Sequence, residues 1–234
     1  MKFIACGASV KGPGHIERAE PNQDALMLTA WRGGWLAAVA DGLGSHQHSD
    51  IGAQRACQTA RRVLRQNVSA FDLDQMLQSI HQRWLEAIKP HHTNTVATTL
   101  LLARVQANGV LHLAQLGDGL LLLRSGGQLF CLTSPRIGFG NQTYALGAQH
   151  RSDRWQQMQA VLTQPGDGIV LMSDGVADDL DATQLPQLMQ TLYANLRCRN
   201  RRTGRIWLQT ELGNWATPMH SDDKTLLAIF RKSK

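Results

Sequence analysis

Short apolar runs rich in β-formers, closed off every few residues by turn signals, set the first limit on what this chain can become. Ten runs read as strands: Phe3–Ala8, Ala25–Ala30, Trp35–Ala40, Thr95–Val105, Val110–Leu116, Gly119–Arg124, Gln128–Leu132, Gln159–Thr163, Gly168–Ser173 and Thr225–Phe230. Glycine-bearing turns such as Asn108-Gly109 and Ser125-Gly126-Gly127 join several of them. Such turns are too short for a crossover, so the strands they join must pair antiparallel.

Helical periodicity comes in blocks. Ile51–Asn67 and Leu73–Ile88 lie together, and on the first of these Ala53, Ala56, Cys57, Ala60, Val63 and Leu64 share one face. A third helix is expected over Ala182–Leu196 behind Asp181 as N-cap, and a short fourth over Ile206–Leu212. Helices set between blocks of strands, rather than after every strand, predict an α+β fold with antiparallel sheets. No repeat, low-complexity tract or linker divides the chain, so residues 1–234 read as one domain.

Composition narrows the setting. Hydrophobic residues make up 43% of the chain, enough for a core. No stretch approaches the ~20 apolar residues of a membrane span, and the apolar run after Lys2 is too short for a signal peptide. A cytoplasmic protein with no membrane partner is expected. Cys6, Cys57, Cys131 and Cys198 form no CxxC pair and read as buried apolar fillers in a reducing compartment. The net charge is +6, much of it in Arg197-Cys198-Arg199-Asn200-Arg201-Arg202-Thr203-Gly204-Arg205. Basic runs can mark nucleic-acid binding. No aromatic residue interleaves with these arginines, so the run reads first as a solvated loop or helix end. A docking surface for acidic or phosphorylated proteins is the alternative, and nucleic acid is not an expected partner.

The acidic residues are few, 18 in all, and their placement carries the chemistry. Asp41-Gly42, Asp118-Gly119 and Asp174-Gly175 follow apolar runs, Asp222-Asp223 precedes the last one, and Asn22-Gln23-Asp24 precedes the second. Any one Asp-Gly pair could be turn chemistry. Five at strand ends are harder to explain that way, because a turn needs no apolar strand running straight into it. If the five converge, their carboxylates repel and raise one another's pKa unless cations neutralise them. Hard divalent ions suit oxygen ligands; a nitrogen set at His46, His48, His91 and His92 is the weaker competitor. Two such ions would lower the pKa of a water from about 16 towards neutrality and offset charge on phosphoryl oxygens. That chemistry fits phosphoester hydrolysis.

In this order the motifs resemble the metal-dependent type 2C serine/threonine protein phosphatases in their bacterial form. The matching residues are Asn22-Gln23-Asp24-Ala25, Val39-Ala40-Asp41-Gly42-Leu43-Gly44-Ser45 with Gly52-Ala53, and Thr95-Val96-Ala97-Thr98-Thr99-Leu100. Gly117-Asp118-Gly119, Ser173-Asp174-Gly175-Val176 and Asp222-Asp223-Lys224-Thr225 complete the set. The resemblance runs from about Cys6 to Phe230. It implies two stacked antiparallel sheets with helix pairs on both outer faces, a four-layer α-β-β-α sandwich with the metals at one end. It implies two Mn2+ or Mg2+ ions and room for a third. Asp41 would bridge the two and the Gly42 carbonyl would hold one of them. Asp174 and Asp222 would ligate the other, Asp118 with Asp174 would form the third site, and Asp24 would hold metal-bound waters. Asp41, Asp174 and Asp222 would thus carry catalysis.

Four departures accompany the resemblance. Gln23 stands where a glutamate often contacts metal. Arg18, the expected phosphate-binding arginine, lies one residue further from Asp24 than usual, which leaves His15 or Lys11 as substitutes. Leu43 replaces a histidine proposed as general acid in eukaryotic members. Residues 133–159 read as a reduced flap over the site. The resemblance implies a monomeric hydrolase acting on phosphoserine and phosphothreonine in proteins, opposing a cytoplasmic Ser/Thr kinase. Gln23 and the displaced Arg18 motivate a non-catalytic phosphoprotein-binding module as the alternative. A small phosphorylated metabolite is a further substrate class.

Overall fold

The computed structural model describes residues 2–44, 47–66, 72–132, 143–215 and 221–233. Among these residues, ten strands form two antiparallel sheets of five. The first holds β1 (Phe3–Val10), β6 (Leu120–Ser125), β7 (Gln128–Cys131), β9 (Gly168–Met172) and β10 (Lys224–Arg231), in the order β1-β10-β9-β6-β7. The second holds β2 (Asp24–Trp31), β3 (Gly34–Asp41), β4 (Leu100–Val105), β5 (Val110–Leu116) and β8 (Gln156–Val161), in the order β2-β3-β4-β5-β8. Helices α2 (Ser49–Leu64) and α3 (Leu73–Ala87) cover the outer face of the second sheet. Helices α5 (Leu185–Arg197) and α6 (Arg201–Asn214) cover that of the first.

The two-residue period of a strand explains how one sequence feeds three apolar layers. On β9, Ile169 and Leu171 point between the sheets, while Val170 and Met172 point to α5 and α6. On β3, Ala37 and Val39 face the other sheet, whereas Leu36, Ala38 and Ala40 face α2 and α3. Every residue of β9 is buried, as expected of a strand covered on both sides. Each fully buried leucine in these layers stabilises by roughly 2 kcal/mol. The predicted face of α2 is buried throughout, and its alanines let the helix lie close to the sheet.

Several boundaries differ from the sequence expectation. Thr93–Thr95 is a 3₁₀ turn, and β4 begins only at Leu100, because Thr98 and Thr99 spend their hydrogen bonds on Asp41 and Gly42. The strand β8 starts three residues before the expected Gln159; Gln156 and Gln157 hide its alternation. Helix α6 begins within the arginine run, where Asn200 caps it by accepting from Thr203 N at 2.9 Å. Asp181 instead caps a 3₁₀ turn, accepting from Thr183 N at 2.8 Å, and α5 starts at Leu185. Two short helices, α1 (Pro13–Glu17) and α4 (Asp174–Ala177), carry too few residues to show a period. All four cysteines are free, but Cys131 and Cys198 are exposed, which corrects the expectation that all are buried fillers. Of the flap-like segment near 133–159, residues 133–142 lie outside the described residues. Among the described residues, no helix is long and apolar enough to cross a membrane.

Candidate active site

Strand register gathers the acidic residues. Asp24 and Asp41 are direct partners across β2 and β3, so both carboxylates stand at the same end of the second sheet. In the first sheet, β9 stops at Met172 and passes through Ser173 into Asp174 at the head of α4. Met172 pairs with Leu226 of β10, which sets Asp222 and Asp223 beside that exit. Met172 also pairs with Leu120 of β6, which brings the β5–β6 turn and its Asp118 alongside. Gly117 in that turn has a φ of 109°, a conformation for which glycine is suited. A Cβ on Gly175 would sit 2.1 Å from the Asp223 carbonyl oxygen, so only glycine lets the two acidic turns meet.

Hydrogen bonds fix the frame. The carbonyl of Asp41 accepts from Thr98 Oγ1 and Thr99 N, both at 2.8 Å, while Asp41 N donates to Thr99 Oγ1 at 3.1 Å. Asp24 is buried, and its Oδ2 accepts from Ser173 Oγ at 2.7 Å. Asp118 Oδ2 accepts from Thr143 Oγ1 at 2.5 Å. Asp223 is buried and ties the two chain ends together, accepting from Gly12 N at 2.7 Å and Gln23 N at 2.6 Å. The same carboxylate lies 2.8 Å from Nδ1 of His15, a residue only 5% exposed, at ion-pair distance though not in hydrogen-bond alignment. Asp222 is exposed, and its oxygen lies within 4.8 Å of ligand atoms of both His15 and Asp223.

The electrostatics show a site starved of positive charge. Burial, then the Asp24 and Asp174 charges, push the Asp41 carboxyl well above the usual range. Burial raises Asp24 to about 7 against hydrogen bonds from Thr225 and Ser173, with Asp223 and Asp174 adding repulsion. Asp174 is raised by burial and by Asp118, Asp222 and Asp178, although its contact with Asp41 works the other way. Its Oδ1 is buried with no hydrogen-bond partner. An orphaned carboxylate oxygen among oxygen donors that repel one another is what hard divalent cations relieve. The donor set therefore fits the ions that the resemblance implies.

A cleft of about 340 Å³ opens over this cluster, lined in part by His15, Arg18, Gly44, Asp174, Ser221 and Asp222. Arg18 is placed there by the end of α1. The chain closes that helix with Glu20 N donating to the His15 carbonyl at 2.9 Å and Ala19 N to that of Ile16 at 3.1 Å, with Ala19 at a φ of 54°. The Arg18 side chain is half-exposed and pairs with Glu20 at 2.8 Å.

The structure thus brings Asp24, Asp41, Gly42, Asp118, Asp174 and Asp222 to one end of the sandwich, with His15 and Arg18 at the cleft. Asp223, Ser173 and Asp178 were not singled out for this site. The doublet Asp222-Asp223 ahead of an alternating strand was the available signal for the first, since one of two adjacent carboxylates must turn inward. The histidine set does not assemble. His48 and His91 stack with centroids 4.8 Å apart, and among the described residues no third ligand joins them; His46 lies outside those residues.

A two-sheet sandwich flanked by helix pairs, with aspartates gathered at one end, is the architecture that the sequence resemblance implies. The family model described as "Protein phosphatase 2C" matches residues 11–215, and the chain belongs to that family. It is 27% identical over 175 residues to "Probable protein phosphatase 2C 26" of Arabidopsis thaliana, covering 74% of this chain and spanning 56% of that relative's length. Among solved structures, a bacterial serine phosphatase superposes with a TM-score of 0.71 at 15% identity over 100% of both chains. The catalytic domain of the serine/threonine protein phosphatase PstP, in complex with 2 manganese ions, gives 0.68 at 18% identity over 99% of each chain. These likenesses establish the fold.

Proposed function

We infer that this chain hydrolyses phosphoserine and phosphothreonine in proteins, as a single monomeric domain in the cytoplasm opposing a Ser/Thr kinase. The observation that carries the reading is the pairing of Asp24 with Asp41 beside Asp174 and Asp222, with the Asp174 oxygen left unpartnered. In this reading Asp41, the Gly42 carbonyl, Asp174 and Asp222 would hold two ions, and Asp118 with Asp174 would hold a third. Asp24, fixed by Ser173, would orient waters around them. Bound Mn2+ or Mg2+ supplies an activated water and charge for the phosphoryl oxygens. Arg18 at the cleft mouth offers its guanidinium to the phosphate, and His15, backed by Asp223, offers a ring nitrogen. The half-exposed setting of Arg18 suits a phosphate carried on a protein surface rather than a small enclosed metabolite.

The test is release of p-nitrophenol from p-nitrophenyl phosphate and of phosphate from a phosphothreonine peptide. Turnover should require Mn2+ or Mg2+, vanish with chelator, and fall about a thousandfold in Asp41→Asn. Phosphopeptide binding without turnover at saturating Mn2+ would favour the non-catalytic module that Gln23 motivates. Turnover indifferent to chelator or to Asp41→Asn would overturn the reading.

A further inference from the structure

The arginine run takes no part in the cleft, yet the fold gives it a definite place. β1 and β2 are each the edge of a sheet and lie on the same side of the sandwich. Between them runs a groove of about 790 Å³, floored in part by Gly7, Leu26 and Leu28. Arg201, Arg202 and Arg205 of α6 form one rim and Arg61 of α2 the other. All four arginines are exposed, and among the described residues no side-chain carboxylate pairs with Arg61, Arg202 or Arg205. The described residues that line the groove include no acidic one.

The backbone of the groove is oriented as well as open. Gly42 N donates to the Gln23 carbonyl, so in the antiparallel alternation the odd residues of β2 bond to β3 and the even ones turn outward. Leu26 and Leu28 therefore present N–H and C=O groups to the groove. Arg201 Nη2 already donates to the Leu28 carbonyl at 3.0 Å, in the place an incoming strand's N–H would take. On the facing edge, Lys232 N donates to the Lys2 carbonyl, and the same alternation along β1 turns Gly7 and Ser9 outward. An exposed edge invites strand addition unless something blocks it. Here the rims are cationic on both sides, so whatever pairs with β2 meets arginines above and below.

We propose that this groove docks an extended acidic segment of a partner protein, which adds as a strand to the outward edge of β2. Acidic side chains on one face of the segment meet Arg61, and those on the other meet Arg201, Arg202 and Arg205. Backbone pairing with Leu26 and Leu28 supplies the rest of the contact. The guanidinium of Arg201 leaves the Leu28 carbonyl and turns to a carboxylate, exchanging a neutral acceptor for a charged one.

The test uses the full chain in chelator, so it is independent of turnover, with fluorescence anisotropy of a labelled Glu-Val-Glu-Glu-Val-Glu peptide. Binding is expected, with Arg201→Glu/Arg205→Glu weakening it by about tenfold or more, while p-nitrophenyl phosphate turnover stays unchanged. Because Arg201 also touches β2, Arg61→Glu on the opposite rim serves as a second variant and should weaken binding severalfold. The same peptide N-methylated at every second residue should bind at least about tenfold more weakly if a strand is added. Absent binding, equal binding of the methylated peptide, or no effect of either variant would overturn the proposal. So would a thymidine hexanucleotide that binds as tightly as the peptide, since the surface would then be one for nucleic acid.

Discussion

An aspartate stands at each end of β9, Asp167 fully buried and Asp174 partly buried, and the two live in opposite electrostatic worlds. Asp167, just before the strand, is fully buried and accepts from the backbone N–H groups of Gly126, Gly127, Thr163 and Gln164 and from Thr163 Oγ1. Burial alone would raise its carboxyl, yet these donors hold it below the usual range. Beyond the other end, Asp174 has an oxygen with no partner and neighbours that are mostly other carboxylates. Burial therefore does not make a site. What separates a structural carboxylate from a candidate metal ligand is whether the fold supplies its donors or leaves them to be supplied from outside.

Breaking the saturated end should give the largest effect on stability. Asp167→Ala leaves several inward-facing N–H groups without an acceptor and should cost about 3 kcal/mol or more in denaturant unfolding. Mn2+ affinity, read by calorimetry, should not change. An equal loss of Mn2+ affinity would show the two ends to be coupled.

The metal-free protein should reveal the contrast through pH. Asp24 and Asp41 have folded pKa values above their unfolded ones, so their contribution is present below about pH 4 and lost as pH rises, for Asp24 through about 7. Asp167 has the reverse sign: its contribution holds above the unfolded value near 4 and is lost as pH falls further. The Tm in chelator should therefore drop by roughly 5–10 °C between about pH 5 and 8, and saturating Mn2+ should cancel the drop. A flat profile in chelator would mean the cluster is already neutralised within the chain.

The smallest effect sharpens the starved end further. The amide oxygen of Gln23 reaches the Gly44 side of the cleft. Gln23→Glu adds a carboxylate there and should tighten Mn2+ binding about fivefold while lowering metal-free stability. Unchanged affinity by calorimetry would place this side chain outside the reach of the ions.

Much of this was legible in the sequence, for physical reasons that can be named. Strands such as β3 and β9 announce themselves because two-sided burial makes them continuous apolar runs. The aspartates stand out because each abuts the end of such a run. Asp223 was not assigned because two adjacent carboxylates are equivalent on paper. Only the pairing of β10 with β1 turns one of them towards Gly12, 211 residues away. His15 rides on a helix too short to have a period, and α6 opens on exposed arginines and buries only Gly204, Leu208 and Leu212. Its start was invisible to an apolar pattern.

The order in which a ribosome delivers this chain gives the β1–β10 pairing a further meaning. Of the ten strands described here β1 is made before the other nine, and β10, its partner in the sheet, after them. Until then β9 lacks a neighbour, and Gly12 and Gln23 have no Asp223 to hold them. Contacts of such long sequence separation form slowly. The acidic cleft is thus completed only once β10 has joined the other strands, and a nascent chain can already possess much of its apolar interior while still lacking a competent centre.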